Sequence, residues 1–342
     1  MSSNVRGALF ALVAFGLYST HDVIVKLMGA SYSPIQLIFF SVLFSFPIAL
    51  LILMRDTEPG TLLPVHPWWI TFRTLAAVLT GISAFYAFTV LPLAQVYAII
   101  FATPLMITIL SIPILKERVR LRRWLAVLVG LAGVVVVIQP GTTVLTLGHF
   151  AALAAALGSA FASVVLRKIG PDERPVVIML YPMMANFVLM GSALYFVYEP
   201  PGAGDMGLFA AMAVLGSAGG LVIIAAYKAG EAVVVAPMQY SQIVWAAVFG
   251  FLFFDEGLDR NTLIGTAIII ASGLYILLRE SRTDASENKP VLRTKLRPDT
   301  GTTLRRPGLM GVSGKSGLGP KRGEKSLQRR GGFATPRATV GV

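Results

Sequence analysis

An apolar pattern that runs twice constrains this chain more than any other feature. Residues 7–280 read as ten apolar segments separated by short polar joints, and the fourth and fifth segments of each half are near-copies. In the first half, Phe101-Ala102-Thr103-Pro104 leads through apolar residues to Leu115-Lys116-Glu117 and a span over 125–139. In the second half, Tyr240-Ser241-Gln242-Ile243 leads to Phe254-Asp255-Glu256 and a span over 265–279. The offset is 139 residues between Glu117 and Glu256, and 140 between Gly133 and Gly273. Residues 15–29 align with 156–170, which sets Lys26 against Arg167 and Asp22 against Ser163. A tandem repeat with an odd number of spans per copy inserts its two halves in opposite orientations.

Each apolar segment is 17–23 residues long, enough for a helix to cross roughly 30 Å of hydrocarbon. The runs are continuously apolar rather than alternating, which excludes a barrel. The chain is 55% hydrophobic and 13% charged, where a soluble domain is about 45–50% apolar and about 25% charged. The expected fold is an all-α integral membrane protein with ten transmembrane helices arranged as two inverted five-helix repeats. The spans fall near 8–28, 33–54, 69–91, 93–115, 122–138, 149–168, 175–197, 207–228, 232–254 and 262–278. The organisation that follows is a short N-terminus (1–6), a first repeat (7–140), a second repeat (141–280) and a basic tail (281–342).

The tail holds 14 Lys/Arg against 4 Asp/Glu, so it carries +10 of the net +12. It offers little to bury and reads as disordered. The basic character belongs to this appendage, so no nucleic-acid partner is expected. With the N-terminus in the cytoplasm, the inner side receives Arg6, Arg55, Arg73, the cluster from Lys116 to Arg123, Arg167, Lys168, Arg174, Lys228, Arg279 and the tail. The outer side receives only Lys26 and Arg260. That asymmetry predicts a multi-pass membrane protein with both termini cytoplasmic. It also puts Glu117 at the inner face and Glu256 at the outer face. Both glutamates read as structural markers that tie helix ends to their neighbours.

The chain has no cysteine and three scattered histidines, which removes thiolate chemistry and metal-ligand spacing. No cofactor is expected. Gly314-Lys315-Ser316 mimics the end of a phosphate-binding loop, but Leu309 stands where that motif needs glycine. ATP hydrolysis is therefore not expected. Coupling to a proton or ion gradient, or simple exchange, remains.

A charge at membrane depth costs roughly 2.5–3.5 kcal/mol on insertion scales, so the first helix stands out with Ser19-Thr20-His21-Asp22 and Lys26. Asp22 and Lys26 are four residues apart and share a helix face, so a mutual ion pair is one reading. Contact with substrate or a proton is the other, because the second repeat has Ser163 in place of the acid. Histidine is the side chain suited to carrying a proton at physiological pH, so His21 is a candidate proton shuttle. His21 and Asp22 themselves are expected to diverge by about 100° around the helix. The repeat offset pairs Phe101 with Tyr240, Thr103 with Gln242, and Ile100 with Gln239. Tyr97, Phe101, Thr103, Pro104, Gln239, Tyr240, Gln242 and Trp245 are an aromatic and amide lining that suits a planar, hydrogen-bonding metabolite, or else simple interhelical bonding. Tyr86 and Asn186 are further polar groups in apolar surroundings that serve either as bundle glue or as ligand contacts.

Leu115-Lys116-Glu117 and Phe254-Asp255-Glu256, with Pro104 ahead of the first and a glycine-rich span after each, resemble the EamA-type domain. Two such domains in tandem resemble a ten-helix member of the drug/metabolite transporter superfamily. The second half departs from the pattern at Ile243, where the first has Pro104, so an unwinding of the fourth helix is not expected to recur in the ninth. The resemblance implies a secondary transporter working by alternating access, not an enzyme, with helices 1, 3, 4 and 6, 8, 9 around a shared site. Members of that superfamily move amino acids, nucleotide sugars, S-adenosylmethionine and riboflavin, and the Ser-Thr-His-Asp run is similar to that of the riboflavin-type carriers. The implied cargo is riboflavin or another vitamin, nucleotide-like or amino-acid-derived compound. The alternatives are an efflux carrier for metabolites or drugs and, more remotely, an intramembrane enzyme or a channel. The implied partners are a small-molecule substrate and the lipid bilayer. A coupling proton or ion and a homodimer are both left open.

Overall fold

The computed structural model describes residues 3–54, 61–117, 119, 121–140 and 144–281, and the basic tail, Arg55, Arg118 and Arg120 lie outside the described residues. Every regular element among the described residues is helical. The first half consists of α1 (Ser3–Met28), α2 (Pro34–Met54), α3 (Pro67–Val90), α4 (Leu93–Ile100), α5 (Thr103–Leu115) and α6 (Leu121–Ile138). The second consists of α7 (Leu147–Ile169), α8 (Pro175–Leu194), α9 (Ala203–Ala229), α10 (Ala232–Val235), a 3-10 stretch (Ala236–Ser241), α11 (Gln242–Phe254) and α12 (Arg260–Ser281). Among the described residues, nine helices are long and apolar enough to cross a membrane when α4 and α5 count as one. The tenth crossing is assembled from α10, the 3-10 stretch and α11.

The fourth crossing breaks at Phe101-Ala102 because Pro104 has no N–H to give the Ile100 carbonyl. Thr103 Oγ1 fills that role, donating to Ile100 O at 2.6 Å. The ninth crossing breaks as well, against the expectation drawn from Ile243. There the interruption comes from Pro237, inside the 3-10 stretch, so the two repeats reach one geometry with prolines at different positions. Both crossings also end alike. Lys116 (φ 56°) and Asp255 (φ 53°) adopt the left-handed conformation, which turns the following glutamate back towards the bundle.

Packing obeys the repeat. Helix α1 lies along α9, and its counterpart α7 lies along α3. Helix α6 packs on α12, and α2 packs on α8, each pairing a span with its own counterpart. The α6–α12 contact requires glycine. A Cβ on Gly265 would stand 2.6 Å from the Gly133 carbonyl oxygen, and one on Gly133 2.9 Å from that of Gly265. The periphery carries Leu50, Leu51, Leu128 and Phe251 exposed, an apolar surface made for lipid tails.

Arg73, a buried cation on α3, has a backbone role. Pro182 lies inside α8 and cannot bond the carbonyl of Ile178. Arg73 Nη1 donates to that oxygen at 2.9 Å.

Candidate functional site

The polar centre of the bundle lies on α1, less than two turns before its end at Met28. Asp22 and His21 are 2% and 5% exposed. Asp22 Oδ1 is 2.7 Å from His21 Nδ1, and Asp22 Oδ2 accepts a 2.5 Å hydrogen bond from the Tyr97 hydroxyl. Ser19 Oγ lies 3.4 Å from the same hydroxyl. The expectation that His21 and Asp22 point apart is thus corrected. The two Cβ atoms do diverge, but the imidazole swings back along the helix and meets its neighbour's carboxylate. With that carboxylate ionised, Nδ1 carries the proton and the ring is fixed in one tautomer.

Lys26, the partner that one of the two readings gave to Asp22, pairs across the bundle. Its Nζ lies 2.7 Å from Glu256 Oε1, donates to Leu91 O at 2.5 Å and sits 5.3 Å from the Phe254 ring centroid. The long lysine stem carries the charge towards the helix end, where an acid and the last carbonyl of a neighbouring span wait. The short Asp22 side chain stays at depth with Tyr97.

Aromatic rings pack on the two partners of the carboxylate. Phe85 meets His21 edge-on at 5.8 Å, and Phe88 meets Tyr97 at 5.3 Å. Tyr97 and Phe101 are 6.2 Å apart, and Phe101 and Tyr240 meet edge-on at 5.1 Å. The chain of rings runs from the first repeat into the second through the broken crossings. On the α9 side, small residues make room. A Cβ on Gly216 would lie 3.7 Å from the His21 ring, and one on Gly219 3.0 Å from the Tyr18 ring.

The structure therefore brings His21, Asp22, Tyr97, Phe101 and Tyr240 into one contiguous group. Thr103 and Pro104 form the adjacent helix break. Gln242 is buried at the start of α11, and its amide nitrogen has no partner among the described residues, nor do the hydroxyls of Ser241 and Ser217. Gln239 is half-buried in the 3-10 stretch. Trp245 sits at the edge, 36% exposed, stacked on Phe249 at 5.6 Å and against Gly16. Tyr86 follows Phe85 on α3 and is half-buried. Asn186 stands apart on α8, where its Nδ2 donates to Pro182 O at 3.0 Å. Sequence reasoning passed over Phe85, Phe88 and Tyr18, which look like ordinary apolar filling until the fold sets them around the acid.

A second ion pair joins Arg167 to Glu117, with side chains 16% and 7% exposed. It lies at the other end of the bundle from Lys26. Lys168, beside Arg167, stacks on Trp69 near the start of α3 at 4.1 Å, whereas Lys26 bonds Leu91, just past the end of α3.

The profile of the EamA-like transporter family matches residues 5–139 and again 146–278. An S-adenosylmethionine uptake transporter of Rickettsia prowazekii is 25% identical, over 84% of this chain and 98% of its own length. A riboflavin transporter of Rhizobium johnstonii is also 25% identical, over 84% and 95%. A pseudopaline exporter of Pseudomonas aeruginosa is 25% identical, over 78% and 94%. A solved crystal structure shares the fold with a TM-score of 0.53 at 19% identity, covering 80% of this chain and 96% of that one.

Proposed function

The chain belongs to the EamA-like transporter family, which makes it a multi-pass carrier of a small organic metabolite in a bacterial inner membrane, and from that premise we propose a cargo class and a site. The cargo is a positively charged, nucleoside-like or amino-acid-derived metabolite of the S-adenosylmethionine class, carried by alternating access. The single observation behind this reading is the Asp22 carboxylate, 2% exposed and held by His21 and Tyr97, which pack on Phe85, Phe88 and Phe101. A buried acid attracts a cation, and ring faces attract cations and stack on planar bases. S-adenosylmethionine joins a sulfonium, an amino group and a purine, so it can use both features. The uptake transporters of Rickettsia, similar over nearly their full length, point the same way.

A riboflavin-like cargo is the second reading. The Phe101–Tyr240 pair and the unpartnered Gln242 amide favour it, since both suit a neutral, planar, hydrogen-bonding ring system. Both termini lie in the cytoplasm in either reading, so Lys26 and Glu256 face outward, and Arg167 and Glu117 face inward. A coupling proton would be held at the His21–Asp22 pair.

Purified protein tested by thermal shift decides between the cargoes. Ligand at 100-fold its Kd stabilises the folded state by about 2.7 kcal/mol. S-adenosylmethionine is expected to raise the Tm of the wild type but not of Asp22→Asn. A rise with riboflavin alone, retained in Asp22→Asn, overturns the cationic reading. Failure to exchange any metabolite in proteoliposomes overturns the carrier reading itself.

A further inference from the structure

Two ion pairs are built from residues that the repeat aligns crosswise. Lys26 corresponds to Arg167, and Glu117 corresponds to Glu256. Both basic residues pair across the repeats. Lys26 of the first repeat holds Glu256 of the second, and Arg167 of the second holds Glu117 of the first. The two bridges are therefore one contact seen twice through the inverted symmetry, once at each end of the bundle. Trp69, beside Lys168, and Leu91, bonded by Lys26, lie roughly 22 residues apart along α3, about 33 Å on a helix.

Each glutamate also lies beyond a break in its own crossing. It follows the half-helix that lies beyond the break in its crossing: α5 after Phe101-Ala102, and α11 after Ala236–Ser241. Each basic residue sits in the last turn of the first helix of the opposite repeat. The Glu256 bridge does more than tie two helices. Its Oε2 also accepts from Leu93 N at 3.0 Å, so one carboxylate holds α1, α11 and the start of α4 together. All four side chains are at most 18% exposed, which keeps each pair strong while closed.

We propose that Lys26–Glu256 and Glu117–Arg167 are the two gate locks of the transport cycle, opened alternately as α11 or α5 swings on its own break. This rests on the alternating-access reading. Opening the Lys26 end separates Glu256 from Lys26 and frees the start of α4, which carries Tyr97, while Glu117–Arg167 stays closed. Opening the other end reverses the roles. A carrier with both locks closed is occluded. Loss of one lock therefore biases it towards opening at that end, because contacts present in only one state set the balance between states.

The chain contains no cysteine, so a single reporter thiol tests this without background. Ser217→Cys places the thiol on α9, 3% exposed and next in sequence to Gly216, which faces His21. Labelling by an impermeant thiol reagent is measured from each side of the membrane without any substrate. In Glu256→Gln or Lys26→Gln, labelling from the Lys26 side is expected to rise about tenfold, with no rise from the other side. In Glu117→Gln or Arg167→Gln, the rise is expected from the Arg167 side alone. Equal rises from both sides, a rise from the wrong side, or no rise in any variant at normal membrane abundance overturns the proposal. If the neutralised variants do not reach the membrane, the swapped pair Glu117→Arg with Arg167→Glu decides. Restored transport supports the lock, and no restoration at normal abundance overturns it. The labelling needs no cargo, so an error in the proposed substrate leaves its result intact.

Discussion

The two repeats share a frame and differ in their chemistry. Asp22, His21 and Tyr97 of the first repeat fall opposite Ser163, Ala162 and Ala236 of the second. Broken crossings, left-handed turns at Lys116 and Asp255, and crosswise ion pairs occur in both. Parts needed at each face of a membrane exist twice, whereas a single cargo site in a two-state carrier needs one acid. In the proposed reading the repeat separates what moves from what binds, and substitutions that make one half resemble the other test the division.

The largest effect is expected from Asp22→Ser, which gives the first repeat the second's residue. Removing one partner of a buried charged group typically costs about 3–5 kcal/mol, so uptake is expected to fall by at least about 100-fold in proteoliposomes at unchanged insertion. Uptake within a few-fold of wild type would show that the difference between the repeats is ornamental. Tyr97→Phe comes next. It removes the hydroxyl that bonds Asp22 at 2.5 Å, and hydrogen bonds to charged groups are worth about 1.5–3 kcal/mol. A KM raised about tenfold with little change in kcat is the expected signature. An unchanged KM would detach Tyr97 from the binding side of the comparison.

Arg73 sharpens the comparison from the other direction, as a buried charge assigned to the frame. Arg73→Met strands the Ile178 carbonyl that Pro182 cannot serve, and an unsatisfied buried acceptor costs about 1–3 kcal/mol. The expected result is a lower Tm in detergent with normal uptake per folded molecule. Adding Pro182→Ala returns an N–H to that carbonyl and recovers part of the Tm. Lost uptake at normal Tm would instead move Arg73 into the cargo path.

The sequence displays much of this division, because the frame is written in period and charge. The 139-residue offset is a self-match read directly from the sequence, and the ten apolar runs read as spans through burial and insertion energetics. Asp22 is legible as a candidate site because its counterpart is Ser163. Three features are hidden because they depend on tertiary placement. The break in the ninth crossing comes from Pro237, upstream of the position that aligns with Pro104. The His21–Asp22 contact depends on a side-chain rotamer that helical geometry alone does not fix. The partner of Lys26 lies 230 residues away, and helix periodicity favours the nearer acid at Asp22. The crosswise pairing nonetheless left a trace, in the joint alignment of Lys26 with Arg167 and Glu117 with Glu256.

The smallest expected effect tests the comparison from the quiet side. Ser163 occupies the place of Asp22 in the second repeat and is 8% exposed on α7. If the site is single, this position has no work beyond packing, and Ser163→Ala removes one oxygen where alanine suits the helix better. The variant should stay within about 0.5 kcal/mol of wild type in stability and keep its transport rate and KM. A several-fold change in KM, with Tm unchanged, would mean that the cargo contacts both repeats at symmetric depths. The chemistry would then be shared across the pseudo-two-fold axis, and Asp22 would be only its charged half.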